Sequence, residues 1–415
     1  MIITNMAVTP QRKPQLVIVG AGFGGVRLAR KLQGRSDLDV TLISSSDHFA
    51  YYPQLYHTAS GGARTESYIP LTNMVDPDEL KLVKDTITKL DPEAKTVTGT
   101  FGTAYQYDEL VLALGAVTNY FGIQGLEEYA YNIKSISGAE KFKRHLHQDL
   151  IDDMKPDVNF VVVGGGPTGV ELVAALPDYL RRITHLHRVP TPKYSIKLIE
   201  AAPRLLPRST EHMSAVVQHR LEELGVEVMT GQTVKAETAT ALELAGEKIT
   251  TQTVVWTAGV ANHPFFKDHA SLFTLAKNGK VEVNEHLEGR PGVRVIGDNA
   301  STQYSGMAQT ALHDADYVAA DIVRALQRRS RPAYKPKAPI AVTPVGPYWA
   351  AAQWGEFEIY GLAGFGLRRA ADLIGYADLE SWPRAFLLWL DDNRRQDDCT
   401  ICQPGIAPAP PLPAN

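Results

Sequence analysis

Short runs of apolar, β-branched residues recur along the chain, bounded by glycine or polar residues. The first run, 15–19 (QLVIV), ends in a glycine-rich turn; residues 26–32 then have the pattern of a helix, and residues 40–43 (VTLI) that of a second buried strand. Strand, tight turn, helix and strand in this order form the βαβ unit of a parallel sheet. The pattern therefore predicts an α/β fold.

The same pattern returns about 145 residues later. Residues 158–163 (VNFVVV) predict a strand, a second glycine turn follows, a helix starts near Gly169, and residues 195–199 predict the next strand. Two such units indicate an internal duplication of one architecture. Further strand-like runs are expected to lead the chain out of each unit and back to the first: 107–112, 253–256 and 293–296.

The composition changes from Arg331 onward. The stretch RPAYKPKAPIAVTPVGP is rich in proline and predicts an extended linker, and the residues beyond it, up to Leu390, are rich in Trp, Tyr, Gly and Ala. The last residues are charged and then rich in Pro and Ala, which is typical of a disordered end. We expect a C-terminal membrane-interface or dimerisation region at 331–398 and a flexible tail at 399–415.

The overall composition narrows the class of protein. Hydrophobic residues make up 44% of the chain and charged residues 21%, as in ordinary globular proteins. The formal net charge of -4 argues against nucleic-acid binding, which needs a basic face. The sequence predicts neither a membrane-spanning helix nor a signal peptide. We therefore expect a cytoplasmic protein, or one bound peripherally at the cytoplasmic face of the cell membrane.

The first glycine-rich turn has the spacing of a dinucleotide-binding fingerprint, with glycine at positions 20, 22, 24 and 25 (Gly20, Gly22, Gly24, Gly25). Glycine here allows a tight turn, lets the backbone approach a pyrophosphate and brings helix and strand close together. The pyrophosphate would lie at the helix N-terminus, where free N–H groups and the helix dipole favour anions. The strand before the motif and the helix after it support this assignment over a simple turn.

The second turn carries Gly164, Gly166, Thr168 and Gly169 and again lies between a strand and a helix. A dehydrogenase with one cofactor needs one such site, whereas an enzyme that moves hydride from nicotinamide to flavin needs two. We therefore expect two Rossmann-like domains, the first split by insertion of the second. The expected boundaries are 14–118 and 285–330 for an FAD-binding domain and 119–284 for an NADH-binding domain.

Residues at the ends of the following strands would hold the riboses. Glu200 ends the strand after the second turn; its carboxylate would accept hydrogen bonds from a 2′-hydroxyl and repel a 2′-phosphate, which favours NADH over NADPH. After the first turn the strand ends in Ser44 instead of the usual acid, so serine hydroxyls or the backbone would hold the ribose. Asp298, beside Gly297 after another strand, is a candidate for contact with the flavin ribityl chain.

The order of these motifs resembles a known family. GAGFGG, LALGAVTN, GGGPTGVE, LIEAAPRLLP, VVWTAGV and GDNAS follow one another as in two-dinucleotide flavoproteins of the glutathione-reductase-like fold. PTGVE, WTAGV, MAQTA and HFAYYPQLYHTASG resemble more closely its type II (alternative) NADH:quinone oxidoreductase branch. The similarity is dense from about residue 14 to about residue 330 and fainter to about residue 390.

The resemblance implies roles for individual residues. Glu171 would lie close to the nicotinamide, and Ala308 and Gln309 at the flavin face where quinone docks. His313 stands where the family's motif continues with glutamine, and it would either carry protons or be an ordinary histidine on a helix surface. The expected catalytic residues are Glu171, Gln309 and His313. The expected cofactor contacts are Gly20, Gly22, Gly24, Gly25, Ser44, Gly115, Asp298, Ala308 and Gln309 for FAD, and Gly164, Gly166, Thr168, Gly169, Glu200 and Gly259 for the second domain.

The cysteines constrain the chemistry. The chain has Cys399 and Cys402 and no other cysteine. Disulfide reductases of this fold, and the related cysteine-dependent peroxidases and sulfide oxidases, need cysteine beside the flavin or in the nicotinamide domain, so these activities are excluded. The CxxC itself would be half of a zinc site that a dimer completes, a reversible disulfide, or part of an inert tail.

The C-terminal region resembles the apolar helices with which the branch lies on membranes. Charged residues interrupt it here: Arg368, Arg369, Asp372, Asp378, Glu380 and Arg384. This pattern favours an amphipathic helix at the membrane interface, with arginines that attract anionic lipid. The alternative is a dimer or core-packing surface. We expect peripheral membrane contact and a homodimer.

Together, these inferences predict an enzyme that moves hydride from NADH to FAD and electrons onward to a membrane quinone of the menaquinone or ubiquinone type. The protein would place the rings and exclude water and oxygen. Two alternatives stay open. One is a soluble NADH-dependent reductase that donates to an iron–sulfur protein or to oxygen, and the other is an NADH-binding flavoprotein that senses redox state.

Overall fold

The computed structural model describes residues 12–151, 157–189 and 193–391. The helices of these residues are α1 (Phe23–Leu32), α2 (Leu55–Ala59), α3 (Leu71–Met74), α4 (Leu126–Tyr129), α5 (Ile136–Ile151), α6 (Pro167–Leu186), α7 (Glu211–Glu223), α8 (Pro264–Asp268), α9 (Ala308–Leu326), α10 (Gly361–Leu379) and α11 (Trp382–Asp391). The strands are β1 (Gln15–Val19), β2 (Asp39–Ser44), β3 (His48–Ala50), β4 (Tyr68–Pro70), β5 (Lys81–Lys84), β6 (Ile87–Asp91), β7 (Thr96–Gly99), β8 (Ala104–Gln106), β9 (Glu109–Leu112), β10 (Ala116–Thr118), β11 (Asn159–Val163), β12 (Ser195–Glu200), β13 (Val226–Thr230), β14 (Val234–Thr238), β15 (Ala241–Leu244), β16 (Lys248–Thr250), β17 (Thr253–Trp256), β18 (Val260–Asn262), β19 (Glu288–Arg290), β20 (Val293–Val295), β21 (Ala341–Pro344), β22 (Ala350–Trp354) and β23 (Phe357–Ile359).

The chain divides into two compact units. The first unit comprises the residues up to Phe49, Pro70–Ala116 and Ala261–Pro339, and the second comprises Ala50–Ile69, Val117–Val260 and the residues from Ile340.

A six-stranded sheet forms the centre of the first unit, in the order β19-β20-β9-β1-β2-β5. β1 pairs in parallel with β2 and with β9. Leu16 and Ile18 of β1 pack in one buried cluster. Val17 and Val19 point to the opposite face and pack in another. Because both faces of β1 are covered, its sequence is an unbroken apolar run.

The second unit repeats this arrangement around a four-stranded parallel sheet, in the order β13-β12-β11-β17. Phe160 and Val162 of β11 pack in the cluster that includes the buried face of α6, and Val161 packs on the other side of the sheet. α6 starts at Pro167, whose fixed φ and missing N–H suit the first position of a helix. Both units thus contain the predicted strand, glycine turn and helix.

Two segments lie in units other than the expected ones. Residues 261–284 were expected in the NADH-binding domain but belong to the first unit, where Phe266 packs with residues of β1. Residues 50–69 belong to the second unit, where Leu55 joins the cluster around α6. In both cases long-range packing decides the boundary.

The C-terminal region is part of the second unit. β21, β22 and β23 form an antiparallel sheet, and Val345 and Ala351 belong to the buried cluster around α6. The predicted linker therefore contains a strand, β21, although residues 331–340 have no helix or strand. None of the helices in the described ranges combines the length and apolar character that crossing a membrane requires. The tail expected at 399–415 lies outside the described residues.

Candidate functional site

The first glycine turn connects β1 to α1. Gly20 has φ +103°, and a Cβ atom there would lie 2.2 Å from Ala113 O. A Cβ on Gly25 would lie 1.8 Å from Gly20 O, so this glycine lets α1 pack directly on the turn. Gly22 caps α1, and no atom of the described residues lies within 4 Å of a Cβ placed on it. Gly22 therefore leaves open space at the helix N-terminus, where an anion is favoured.

The second turn has the same geometry. Gly164 has φ +116°, and a Cβ there would lie 2.7 Å from Ala258 N. A Cβ on Gly169 would lie 1.9 Å from Gly164 O. Gly166 caps α6, and within the described chain a Cβ on it would meet nothing closer than 4 Å. Thr168, in the first turn of α6, is exposed.

Two of the expected cofactor glycines stand where their neighbours are tightly packed. A Cβ on Gly24 would lie 3.0 Å from Ile296 Cδ1 and 3.3 Å from Ala311 O, so Gly24 allows α1 and α9 to approach each other. A Cβ on Gly259, with φ +105°, would lie 2.4 Å from Phe121 Cε2. Both glycines are required by packing, and their contact with a cofactor stays a prediction.

Glu200 joins the second glycine turn, as its place at the end of β12 predicts. Its Oε2 accepts a hydrogen bond from Gly165 N at 2.5 Å, and its Oε1 accepts one from Ala202 N at 2.7 Å. In the first unit, Ser44 is buried and its hydroxyl accepts a hydrogen bond from Ser46 N at 3.2 Å. The carboxylate is thus fixed beside its turn, whereas the serine supports the backbone after β2.

A buried amide clamps the carboxyl edge of the first sheet. Asn299 Oδ1 accepts a hydrogen bond from Gly115 N at 2.8 Å, and its Nδ2 donates to Gly115 O at 2.7 Å. Gly115 has φ +74°, and no described atom lies within 4 Å of a Cβ placed there. Asp298 is half-buried beside Asn299. The clamp therefore holds an open stretch of backbone next to the aspartate expected to contact FAD.

A buried aspartate supports the same edge from α9. Asp314 Oδ2 accepts a hydrogen bond from Gly297 N at 2.9 Å, and its Oδ1 accepts one from the Tyr334 hydroxyl at 2.6 Å. Burial raises the pKa of the Asp314 carboxyl, and both hydrogen bonds oppose that rise. Asp314 therefore fixes the turn that presents Asp298.

α9 begins at Ala308, where the expected quinone motif lies. Ala308 is half-buried and Gln309 is exposed in the first turn of the helix. His313 lies one turn later on the same side of α9, and its Nε2 is 2.8 Å from Lys335 O. Because a carbonyl oxygen only accepts, Nε2 carries the proton in this contact, and Nδ1 is the nitrogen left to exchange one. Gln309 and His313 are therefore neighbours on one face of α9.

In the second unit, Glu171 lies on α6 and forms an ion pair with Arg368 of α10, with 3.2 Å between Oε1 and Nη1. Arg368 also pairs with Asp372 of its own helix at 2.9 Å. Burial raises the pKa of Glu171 to about 7, although the charge of Arg368 opposes the rise. A carboxyl with such a pKa can bind or release a proton near neutral pH.

Comparison with known proteins gives consistent matches. The family model of the pyridine nucleotide-disulphide oxidoreductases matches residues 14–315. The chain is 31% identical over 339 residues to the type II NADH:quinone oxidoreductase Ndh of Mycobacterium tuberculosis, covering 75% of this chain and 73% of that protein. It is 29% identical over 345 residues to a type II NADH:quinone oxidoreductase of Staphylococcus aureus, covering 77% and 84%.

The chain belongs to the pyridine nucleotide-disulphide oxidoreductase family. Within it, the chain belongs to the type II NADH:quinone oxidoreductases, which confirms the resemblance inferred from the motifs. Solved structures confirm the fold. NDH2 from Plasmodium falciparum in complex with NADH has a TM-score of 0.83 at 20% identity, covering 92% of this chain and 98% of that one. A sulfide:quinone oxidoreductase from Aquifex aeolicus has a TM-score of 0.75 at 19% identity, covering 92% of both chains.

The residues present fit the two dinucleotides of this oxidoreductase family. Each turn has an open N-cap glycine, Gly22 or Gly166, and the first turns of α1 and α6 carry no acidic residue. A diphosphate can therefore approach the backbone at Gly22 and at Gly166, and the first turn of neither helix places an acidic residue against it.

The sequence missed three residues that support expected site residues: Asn299 and Asp314 next to Asp298 in the first unit, and Arg368 beside Glu171 in the second unit. The expectation that Arg368 is a surface cation that attracts lipid is wrong, because it is only 8% exposed and pairs with two carboxylates. The spacing of Arg368 and Asp372, four residues apart on a helix, was the available signal for that pair. Asn299 and Asp314 gave no signal beyond their proximity to Asp298 and Gln309.

Proposed function

We propose that the chain is an FAD-dependent NADH:quinone oxidoreductase. One observation carries the proposal: two units each present an open N-cap glycine at a helix N-terminus, Gly22 and Gly166, in a chain whose relatives are named type II NADH:quinone oxidoreductases. Two open glycine turns suit two dinucleotides. The first unit holds FAD, and the second holds NADH.

In the first unit, the turn from Gly20 to Gly25 supports the FAD diphosphate at the N-terminus of α1. Asp298 contacts the ribityl chain, supported by its half-buried position between Gly297 and the clamped Asn299. Ser44 and the backbone after β2 take the place of the usual acid at the ribose. The open backbone at Gly115 leaves room for the flavin beside this edge.

In the second unit, Gly164, Gly166 and Gly169 support the NADH diphosphate, with Thr168 exposed in the same turn. Glu200 contacts the adenosine ribose, supported by its two hydrogen bonds to the turn, which fix the carboxylate there. Glu171 lies close to the nicotinamide. Its position on the helix that starts at the turn supports this role.

The FAD that the first unit would hold would supply the redox chemistry, taking a hydride from NADH and giving two electrons to quinone, which would also take up two protons. Glu171 is the candidate to hold a proton near neutral pH, because burial raises its pKa to about 7. Gln309 offers its amide N–H groups as donors to a quinone carbonyl. His313 is the candidate to exchange a proton through Nδ1, with Nε2 bound to Lys335 O.

The acceptor we propose is a membrane quinone of the menaquinone or ubiquinone type, reached from the cytoplasmic face. Exposed apolar side chains support peripheral attachment, since such groups mark contact with a membrane or a partner. The exposed fractions are 78% for Phe357, 71% for Leu362, 64% for Trp382 and 61% for Leu387. The same side chains would serve a homodimer, which we also propose; sedimentation with and without lipid vesicles distinguishes the two contacts.

The test is anaerobic reduction of the purified protein by NADH, followed by mixing with a short-chain quinone while the flavin absorbance is recorded. The expected protein is yellow, contains about one FAD per chain, loses its colour with NADH and regains it with quinone. Reoxidation by a ferredoxin-type protein or by oxygen, without reaction with quinone, would contradict the proposal and favour a soluble reductase. A stable reduced complex that no quinone reoxidises would favour a redox sensor.

A further inference from the structure

A buried ion cluster joins α10 to the helix that follows the second glycine turn. Arg368 Nη1 donates to Glu171 Oε1 at 3.2 Å, and Arg368 Nε donates to the two carboxylate oxygens of Asp372 at 3.0 and 2.9 Å. Arg368 Nη2 donates to Pro53 O at 2.8 Å. Glu171 is 12% exposed, Arg368 8% and Asp372 6%. All three charged groups are therefore almost entirely removed from water.

The cluster contains two carboxyl groups and one guanidinium. If both carboxyls were ionised, the cluster would hold one excess negative charge away from water, which is unfavourable unless one of them binds a proton. Arg368 makes two contacts with Asp372 and one longer contact with Glu171. Glu171 is thus the less well partnered carboxyl. Burial raises the pKa of both carboxyls, and that of Glu171 to about 7.

The other charged groups near the cluster affect Asp372 and Arg368. His57 and Arg369 favour the ionised form of Asp372, and Tyr56 interacts with Arg368. His57 Nδ1 is in turn 2.6 Å from Glu66 Oε2, which is fully buried. Among the described residues, the charges that shift the pKa of Glu171 are those of Arg368, which lowers it, and Asp372, which raises it.

We propose that Arg368 and Asp372 are positioning residues for Glu171: they hold its carboxyl in place on α6 and leave it able to bind and release a proton. Asp372 does this by competing with Glu171 for the charge of Arg368. The inference rests on the proposed function, in which Glu171 lies near the nicotinamide. The proposal gives α10 a part in the chemistry, in addition to any contact with a membrane or a second chain.

The variant Asp372→Asn tests whether Asp372 competes with Glu171 for the charge of Arg368. The amide has almost the size of the carboxylate but no charge, so Arg368 would neutralise Glu171 alone and the pKa of Glu171 should fall. A lower pKa keeps the carboxyl ionised to lower pH. The limb of the pH–rate profile that Glu171 causes should therefore move to lower pH by about one unit or more. Asp378→Asn, on the same helix, is the matched control and should leave the limb in place.

The two half-reactions, flavin reduction by NADH and reoxidation by a short-chain quinone, are measured separately from about pH 5 to about pH 9. Arg368→Met removes the positive charge, so the limb should move to higher pH by about one unit or more. Arg368→Lys keeps a charge without the planar fork, and its shift should have the same direction but be smaller. Flavin content and melting temperature establish that each variant is folded.

Glu171→Gln separates two kinds of failure. If the limb persists in Glu171→Gln, Glu171 does not titrate there and its place in the proposed function is wrong, while NADH:quinone turnover stands on the two glycine turns. If the limb disappears in Glu171→Gln but is unmoved in Asp372→Asn and in the Arg368 variants, the inference about the positioning pair is overturned. If Asp372→Asn and Arg368→Met fail to fold, infrared titration of the wild type and of Arg368→Lys decides: the inference expects the protonated-carboxyl band of Glu171, identified by its loss in Glu171→Gln, to titrate at higher pH in Arg368→Lys than in the wild type, and an unmoved or absent band overturns it.

Discussion

Glu200 serves the local fold and leaves capacity for a ligand. Each of its two oxygens accepts one backbone hydrogen bond, from Gly165 N or from Ala202 N. A carboxylate has about four acceptor positions, so two remain for ribose hydroxyls. The two hydrogen bonds also keep the negative charge beside the turn, where a 2′-phosphate on the cofactor would meet it.

The expected consequence is selectivity for NADH. Wild-type kcat/KM should favour NADH over NADPH by at least about tenfold, because like-charge repulsion at this site costs about 1–3 kcal/mol. Glu200→Gln should narrow the ratio. Glu243→Gln is the control, since Glu243 belongs to the same unit but pairs with Lys248 at its surface. Equal use of both coenzymes by the wild type would show that Glu200 does not face the 2′ position.

The residues that the sequence predicted and those it missed differ in their sequence separation from their partners. Gly22, Gly166 and Glu200 act within a strand–turn–helix unit, and their spacing alone indicates their roles. Asn299 contacts Gly115 at a separation of 184 residues, and Arg368 contacts Glu171 at a separation of 197. Only the tertiary fold brings such partners together, so no local sequence pattern indicates these contacts.

At the scale of elements, α10 and α11 form a paired C-terminal structure. Arg369 Nη2 donates to Trp389 O at 2.6 Å, Trp389 Nε1 donates to Arg369 O at 2.8 Å, and the guanidinium lies 4.6 Å from the Trp389 ring. With Arg368 buried, Arg384 is the exposed one of the three arginines expected to attract lipid. Attachment to a membrane would then rest on apolar side chains more than on charge.

Vesicle binding tests that expectation. Replacing Trp382 and Leu387 by Gln should weaken co-sedimentation with anionic vesicles at least about tenfold, because two large apolar side chains lose their burial. High salt should weaken wild-type binding only about threefold or less, since in the described part of this region Arg368 is buried in ion pairs and Arg369 lies against the Trp389 ring. Phe101→Gln is the control, because Phe101 is 91% exposed but lies in the first unit. Complete release by salt would favour a charge-driven contact instead.

The sequence patterns predicted where the helices and strands lie better than they predicted which of their residues are buried. The amphipathic outline of the C-terminal region matches two helices, α10 and α11. The charged residues in that outline predict a polar face, but Arg368 and Asp372 lie inside the unit, because Arg368 pairs with both Asp372 and Glu171. Periodicity shows where a helix has charges; it does not show whether those charges are paired in the core.

At the scale of the whole molecule, each unit has its own core and its own glycine turn. The duplication was predictable because the central strands are covered on both faces and so have unbroken apolar sequences. The unit boundaries were not predictable from the sequence, because they depend on long-range packing. Examples are the packing of Phe266 with β1 and of Leu55 with the cluster around α6.

Two separate turns imply two separable binding activities. Gly22→Leu should abolish FAD retention, because the side chain fills the space that a diphosphate approaches. Gly166→Leu should keep FAD and weaken NADH binding at least about tenfold. Both glycines have φ values that other residues adopt, −82° and −75°, so the substitutions should not strain the backbone.

Flavin absorbance and NADH titration measure both effects. Gly246→Leu is the control, since a Cβ on Gly246 also meets no described atom within 4 Å but the residue lies far from either turn in the chain. Full flavin content in Gly22→Leu would show that FAD lies elsewhere. Loss of flavin in Gly166→Leu alone would reverse the assignment of the two units.

Tyr376 of α10 ties the C-terminal helix to residues 50–69. Its hydroxyl donates to Glu66 O at 3.0 Å, and its ring stacks on Tyr51 with 4.4 Å between centroids. A homologue that exchanged α10 for a different helix would lose the stacking of Tyr376 on Tyr51 and the ion pair of Arg368 with Glu171. Recombination between relatives must therefore transfer residues 50–69, position 171 and α10 as one inherited set, and chimeras that exchange α10 alone should be selected against.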